Sequence, residues 1–225
     1  MPTLLITGAN RGIGLELTKR YAADGWSIIA ACRKPQEAEA LKALKGDITI
    51  EAMDVTDYAA VDRLAAKYQG KAIDLLLNNA GIYGNRDAAL KVSDFDMYLQ
   101  VLQVNSVAPM KMALTFLPHL TAAKGKIATI SSIMGSVALG GGGSYAYRAS
   151  KAAINAGMHN LALDVKSAGI TCITLHPGWV KTDMGGAGAD IDVATSGAGL
   201  KKTIDGATLK DTGKFFNYDG SEIPW

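Results

Sequence analysis

Short apolar runs alternate with longer amphipathic stretches along this chain. The runs are TLLIT (3–7), WSIIAAC (26–32), DITIEAM (47–53), AIDLLLN (72–78), KIATISS (126–132), ITCITLHP (170–177) and, more weakly, GKFFNY (213–218). The stretches between the first six are each long enough for a helix. Near-continuous apolar strands separated by helices predict an α/β protein with a doubly wound parallel sheet, covered by helices on both faces. About seven strands in a single domain over 1–225 are expected, since no Pro- or Ser-rich linker and no internal repeat divides the chain. Two segments stand apart. Residues 95–120 read as one long helix, yet they contain Pro109 and Pro118. Residues 184–199, MGGAGADIDVATSGAG, are poor in large apolar side chains, and that composition predicts a mobile, lid-like loop over a substrate.

Composition narrows the picture a little. The 225 residues are 48% hydrophobic and 20% charged, with a formal net charge of +2 and no long run of one sign. Nucleic-acid and membrane-surface partners are therefore not expected. Cys32 and Cys172 are far apart and lack metal-ligand spacing, as buried thiols of a reducing compartment do. MPTLLITG enters a strand at once, without the basic flank and apolar stretch of a signal peptide. The long uncharged run 127–147 is broken by Ser and by GGGG, which argues against a membrane span. A cytoplasmic location is the expectation.

The first candidate chemistry follows the first strand. TGANRGIG places Gly8, Gly12 and Gly14 in the turn into an amphipathic helix that starts near Arg11 or Gly12. Glycines there permit a tight bend and close backbone approach. The helix N-terminus offers free N–H groups and a positive dipole end to a pyrophosphate. In an NAD site an acid near the end of the second strand binds the ribose 2′-hydroxyl. Here that strand ends Ala31-Cys32-Arg33-Lys34, and the first acid is Glu37. Arg33, with Arg11 reaching over from the glycine loop, would clamp a 2′-phosphate, so NADP(H) is expected in preference to NAD(H). Asp54, in MDVTD, is placed to accept from an adenine amino group or to cap the loop.

SYAYRASK (144–151) holds the second constellation. On the helix that continues through KAAINAGMHNLALDV, with Ile154, Met158, Leu161 and Val165 as its buried stripe, Tyr147 and Lys151 share a face. Tyr145, two residues earlier, lies about 200° away round the helix. Tyrosine titrates near pH 10, and an ammonium beside it favours the phenolate. A Tyr–Lys pair of this kind is an acid–base candidate.

TGANRGIG, NNAG (78–81), Ser131-Ser132, Tyr147-x3-Lys151 and HPGWVKTDM (176–184) occur in the order found in the short-chain dehydrogenase/reductase family, which the whole chain resembles. NSVAP, SSIMGS, YAYRASKAAIN and the ending FFNYDGSEIPW resemble its carbonyl-reductase-like group, which contains C-factor and sniffer. The resemblance implies a Rossmann-type domain with strand order 3-2-1-4-5-6-7 and hydride transfer to an aldehyde or ketone. Tyr147 would be the general acid, Lys151 would lower its pKa and bind the nicotinamide ribose, and Ser132 would hydrogen-bond the substrate carbonyl. Asn105 would hold a water on the proton path. Asn78 to Gly81, including Asn79 and Ala80, would lie by the cofactor ribose. Pro177, Gly178, Val180 and Thr182 would shape the nicotinamide pocket. Asn10 and Ile13 of the glycine turn, and Val55 beside Asp54, belong to the implied cofactor contacts. Pro109, four residues after Asn105, removes the helical partner of the Asn105 carbonyl and so marks a local kink.

One departure bears on the tyrosine. Many family members place the serine thirteen residues before the tyrosine; here Ser132 to Tyr147 is fifteen, with the extra length around Gly140–Gly143. Counting thirteen would select Tyr145, which has no lysine four residues on. His119, His159 and His176 are scattered and read as structural, so no metal site is expected. The resemblance further implies a homodimer or homotetramer through the fourth and fifth helices. There Ala153, Ala156 and Gly157 would permit close contact. Two other readings stand beside the reductase: a dinucleotide-binding signalling or regulatory protein of C-factor type, and an NAD-dependent alcohol dehydrogenase, against which Arg33 argues. The substrate is expected to meet residues 184–199, Met134 and Gly140–Gly143.

Overall fold

The computed structural model describes residues 1–84 and 94–225. From the N-terminus it runs β1 (Thr3–Thr7), α1 (Gly12–Ala23), β2 (Ser27–Cys32), α2 (Glu39–Lys42), β3 (Ile48–Ala52), α3 (Tyr58–Lys67) and β4 (Leu75–Asn78). It continues with α4 (Phe95–Leu102), a π turn (Gln103–Val107), α5 (Ala108–Thr115), α6 (Leu117–Ala123), β5 (Lys126–Ile130) and α7 (Tyr145–Val165). β6 (Thr171–His176), α8 (Val193–Gly206) and β7 (Phe215–Asn217) complete it. All neighbouring strands pair in parallel, in the order β3-β2-β1-β4-β5-β6-β7. The expected sheet and strand order are therefore both present.

Side chains alternate across each strand, so β1 sends Leu5 to one core and Leu4 and Ile6 to the other. α3, α5 and α7 close the first core through Val61, Leu64, Met112, Ile154 and Met158. α1, α2 and α8 close the second through Leu17, Tyr21, Leu41, Leu200 and Ile204. Both faces of the sheet are buried, which is why its strands read as unbroken apolar runs. The strand order reverses between β1 and β4. At the C-terminal ends of that pair, parallel α/β sheets open a ligand crevice.

The β2–β3 crossover holds the single-turn helix α2, because Pro35 starts a 3₁₀ turn soon after Cys32 and leaves few residues for more. Two expectations need correcting. The segment 95–120 is three helices, not one. Pro109 cannot bond the Asn105 carbonyl, and a π turn absorbs the mismatch and buries Asn105 and Ser106. A second break falls at Phe116, next to Pro118 in the first turn of α6. Finally, much of 184–199 is not loop. α8 starts at Val193, with Asp192 accepting a cap bond from the Thr195 amide at 2.7 Å. Its small residues serve close packing. A Cβ on Gly197 would meet Glu16 Cγ at 2.6 Å, and one on Gly199 the Tyr218 carbonyl oxygen at 2.6 Å. Among the described residues no helix is long and apolar enough to cross a membrane.

Candidate active site

The phosphate cradle forms where β1 gives way to α1. Gly8 has φ +68° and Gly12 φ +53°, a region that side chains disfavour. The Gly8 amide donates to the Ala31 carbonyl at 2.9 Å, tying the turn to the end of β2. The NNAG segment braces it from the other side. Asn79 Nδ2 donates to the Thr7 and Gly8 carbonyls at 3.0 and 3.1 Å, and the amides of Asn79 and Ala80 donate to Thr7 Oγ1 at 3.1 Å. Arg11 caps α1 without a side-chain bond, and the first turn contains no acid. Those exposed amides, the positive helix end and the absence of a carboxylate in the turn fit a dinucleotide's phosphates.

Other predicted cofactor residues divide by position. Asn10 and Ile13 are half-buried in the turn. Arg33 is exposed at the end of β2. Arg11 Nη1 pairs with Asp183 Oδ2 at 2.8 Å, and both side chains are exposed. Asp54 Oδ1 accepts from the Thr56 amide and hydroxyl at 2.9 and 2.7 Å, making a tight turn, and Val55 packs on the core behind it. Asn78 is not at the surface of the crevice. It is buried, donating to the Pro109 carbonyl at 3.2 Å, and so links β4 to the kink.

The loop after β6 faces the cradle. Thr182 Cγ2 would lie 3.4 Å from a Cβ on Gly12. Gly178 has φ +84°, and a Cβ there would meet Ile191 Cδ1 at 2.6 Å. The Pro177 carbonyl accepts from Ser196 Oγ at 2.6 Å, and buried Val180 bridges to Ile191. Thr182 Oγ1 accepts from the Gly185 amide at 3.0 Å. This loop is a pinned structure.

The second constellation gathers at the ends of β4 and β5. α7 begins at Tyr145, which places Tyr147 and Lys151 together and leaves Tyr145 52% exposed while Tyr147 is 8% exposed. Lys151 Nζ donates to the Ile130 carbonyl at 2.9 Å and lies 5.7 Å from the Tyr147 ring centroid. Ser132, at the end of β5, is buried and accepts from the Met134 amide at 3.1 Å. The close approach behind it needs Gly135, whose Cβ would meet the Lys151 backbone at 2.6 Å.

Asn105 meets this group through the π turn. Its Oδ1 accepts from the Ile82 amide at 2.9 Å, while Nδ2 donates to the Ile82 carbonyl at 2.8 Å and to Ser150 Oγ at 3.0 Å. Ser150 in turn donates to the Tyr147 carbonyl at 2.7 Å. A Cβ on Gly81 would lie 3.2 Å from Asn105 Oδ1 and 3.7 Å from Lys151 Nζ. The four predicted residues Asn105, Ser132, Tyr147 and Lys151 therefore stand in one connected cluster.

The electrostatics differ from the expectation that Lys151 lowers the tyrosine. Burial pushes the Tyr147 phenol up to about 12, with the Ser132 hydroxyl pulling back and Tyr83 adding to the rise. Burial also lowers Lys151 to about 8. In this protein alone the phenol holds its proton firmly. His176, at the end of β6, is lowered to about 4 by burial and stays neutral. His119 lies within α6 and is buried against Phe116. Among the described residues no group of His, Cys, Asp or Glu could hold a metal, and Cys32 and Cys172 are free and buried.

Three residues of the pocket carried no sequence signal. Tyr83 stacks on Tyr147, Ser150 relays between Asn105 and α7, and Asn155 accepts from Ser131 Oγ at 2.6 Å. Arg148 was equally silent. Its Nη1 donates to the Met134 carbonyl at 3.4 Å, and a Cβ on Gly141 would lie 2.6 Å from its Nη2. The glycine run passes close to that guanidinium.

A crevice at the sheet's switch point, a phosphate cradle and a buried Ser–Tyr–Lys group with an asparagine behind it define a dinucleotide-dependent oxidoreductase. Comparison with known proteins agrees. The family model for short chain dehydrogenases matches residues 2–190, and the chain belongs to the short-chain dehydrogenase/reductase family and is an enzyme of that class. It is 39% identical over 155 residues to C-signal of Myxococcus xanthus, covering 68% of this chain and 93% of that protein. The structure of carbonyl reductase Sniffer of D. melanogaster superposes with a TM-score of 0.91 at 36% identity, covering 100% of both chains. An NADPH-bound carbonyl reductase from chicken fatty liver gives a TM-score of 0.87 at 33% identity, covering 100% of this chain and 99% of that one.

Proposed function

We propose that this enzyme is an NADPH-dependent carbonyl reductase, reducing an aldehyde or ketone with Tyr147 as general acid. The observation that carries the reading is the buried Tyr147 phenol, kept protonated beside Ser132 and Lys151. The cofactor, when bound, supplies the hydride. Ser132 and the Tyr147 hydroxyl orient the carbonyl oxygen, and Tyr147 gives that oxygen its proton as negative charge develops. Lys151 would bind the ribose of the cofactor and stabilise the phenolate left behind. Asn105 holds the loop at Ile82 and the start of α7 in register. Gly8, Asn10, Gly12, Ile13 and Gly14 would hold the pyrophosphate, and Arg11 would have to leave Asp183 to reach the 2′-phosphate beside Arg33. Asp54 and Val55 would border the adenine, Asn79 to Gly81 the ribose, and Pro177, Gly178, Val180 and Thr182 the nicotinamide. Arg33 favours NADPH, as does the NADPH named for the chicken relative.

The test is NADPH consumption against a panel of aldehydes, ketones and quinones, with NADH, Tyr147→Phe and Tyr145→Phe alongside. Turnover that prefers NADPH, survives in Tyr145→Phe and disappears in Tyr147→Phe is expected. Full activity of Tyr147→Phe would overturn the assignment. The 39% identity to C-signal favours a second reading, a dinucleotide-binding signalling protein. It gains if NADPH binds tightly, no carbonyl turns over, and signalling output survives Tyr147→Phe.

A homo-oligomer through α4, α5 and α7 is part of the proposal. Phe95, Leu99, Val107 and Leu114 are exposed there, as are Ala153, Ala156 and Leu163 of α7. Gly157 serves a different contact: it packs within the chain, where its Cβ would meet Met110 Sδ at 3.0 Å. Light scattering that shows a concentration-independent monomer would contradict the oligomer.

A further inference from the structure

Tyr147 is covered by a second tyrosine. Tyr83, just past the NNAG turn, lays its ring on the Tyr147 ring with centroids 4.4 Å apart and planes at 25°. Such offset stacks add to the gain from burial alone. Tyr83 is anchored at both ends. The backbone of the preceding residue, Ile82, is clamped through N–H and C=O by the Asn105 amide at 2.9 and 2.8 Å. Its hydroxyl hydrogen-bonds Ser144 Oγ at 2.8 Å and approaches Met134 Sδ at 4.0 Å. Ser144 is the N-cap of α7 and has φ +48°, a conformation that costs a non-glycine residue about 1–2 kcal/mol. A hydrogen bond to its side chain helps to hold that residue in place.

We propose that Tyr83 is a positioning residue for Tyr147: its stacked ring fixes the phenol and excludes water from one face, so that the proton stays on Tyr147 until the carbonyl oxygen takes it. The proposal rests on the reductase reading above. In the proton step the Tyr147 O–H bond breaks and an O–H bond forms on the substrate oxygen, while the hydride from NADPH reaches the carbonyl carbon; Tyr147 is then reprotonated from solvent. Among the described residues, the groups facing the phenol are the Ser132 hydroxyl from the end of β5, the Lys151 amine from α7 and the Tyr83 ring from the loop after β4. Arg148 of α7 points away, to the Met134 carbonyl. Of these, only Lys151 can stabilise a phenolate by charge; Tyr83 opposes the phenolate by charge, and its ring offers no solvent. Removing the ring admits water, which favours the ionised form and lowers the pKa.

The experiment is a pH titration of the full-length protein carrying tyrosine labelled with ¹³C at the ζ carbon. The Tyr147 resonance is assigned by its loss in Tyr147→Phe. In Tyr83→Leu this resonance is expected to titrate at lower pH, toward the ordinary tyrosine value near 10, whereas Tyr83→Phe keeps the stack and stays closer to wild type. The alkaline limb of kcat for NADPH-dependent reduction should move with it. An unchanged titration in Tyr83→Leu overturns the proposal, and so does an equal shift in Tyr83→Phe, which would assign the effect to the hydroxyl. Ring-to-ring NOEs between Tyr83 and Tyr147 test the stack in wild-type protein, and their absence also overturns it. The titration needs no turnover. A shifted resonance with no reducible carbonyl would therefore sink the reductase reading while leaving the stack intact.

Discussion

Gly14→Ala tests the cradle most sharply, because the usual helix rule points the other way. Gly14 lies in the first turn of α1, where alanine is ordinarily favoured over glycine by about 1 kcal/mol. Here the added Cβ would fall inside the contact distance of the Gly8 carbonyl oxygen, 2.5 Å from Asn79 Nδ2 and 3.0 Å from the Gly8 carbonyl carbon. None of these atoms yields cheaply. Gly8 is held by its bond to Ala31, and Asn79 Nδ2 holds both Thr7 and Gly8. Overpacking of this kind costs about 1–3 kcal/mol. The two displaced amide bonds add about 1 kcal/mol each. Against the helix gain, a net loss of roughly 2–4 kcal/mol follows, or about 10 °C in Tm for a chain of this size. Gly206→Ala is the control, since a Cβ there meets nothing within 4 Å. Thermal unfolding by circular dichroism reads the stability, and quenching of protein fluorescence by NADPH reads the cradle. Gly14→Ala should melt well below wild type and bind NADPH weakly, while Gly206→Ala should match wild type in both. A Gly14→Ala protein with wild-type Tm and NADPH affinity would refute the geometry.

Asn105→Ala strips three bonds and leaves the Ile82 amide and carbonyl without them, so a stability loss of about 1–3 kcal/mol by denaturant titration is expected. Turnover should fall with it, and an unperturbed Asn105→Ala enzyme would show that the π turn is incidental. Arg33→Ser should weaken NADPH binding by roughly ten- to a hundredfold, the equivalent of one charge-assisted hydrogen bond, and leave NADH alone; equal loss of both cofactors would remove Arg33 from the 2′-phosphate. Lys151 is lowered to about 8 in the folded protein, below its unfolded value near 10.4. Between those values the unfolded chain binds the extra proton, so this residue's burial penalty is full below pH 8 and fades as pH rises to about 10.4. Lys151→Met should accordingly melt above wild type at pH 7, with a gap that narrows from pH 8 upward; a gap that widens would reverse the sign.

Much of this protein was legible from local pattern. Buried parallel strands must be apolar on both faces, so TLLIT, SIIAAC and LLLN announce themselves. Helical geometry separates Tyr147 from Tyr145 without coordinates, since four residues return to one face and two do not. Glycines at a strand-to-helix turn announce a close approach. Other features depended on partners distant in sequence. Gly197 and Gly199 look like loop residues until Glu16 and Tyr218 are seen against them. Arg11 looks free for a phosphate until Asp183, far along the chain, takes it at 2.8 Å. The tyrosine pKa is the clearest case. A lysine one turn away predicts a lowered value, yet burial drives it upward against the pull of the Ser132 hydroxyl, with Tyr83 adding to the rise. By itself the sequence determined the strand order's raw material, the cradle and the Tyr–Lys face, because each arises within a few residues of backbone geometry. Only the tertiary structure decided which polar groups lose water and which glycines touch a neighbouring element, because desolvation and close packing depend on elements that meet only after the chain has folded.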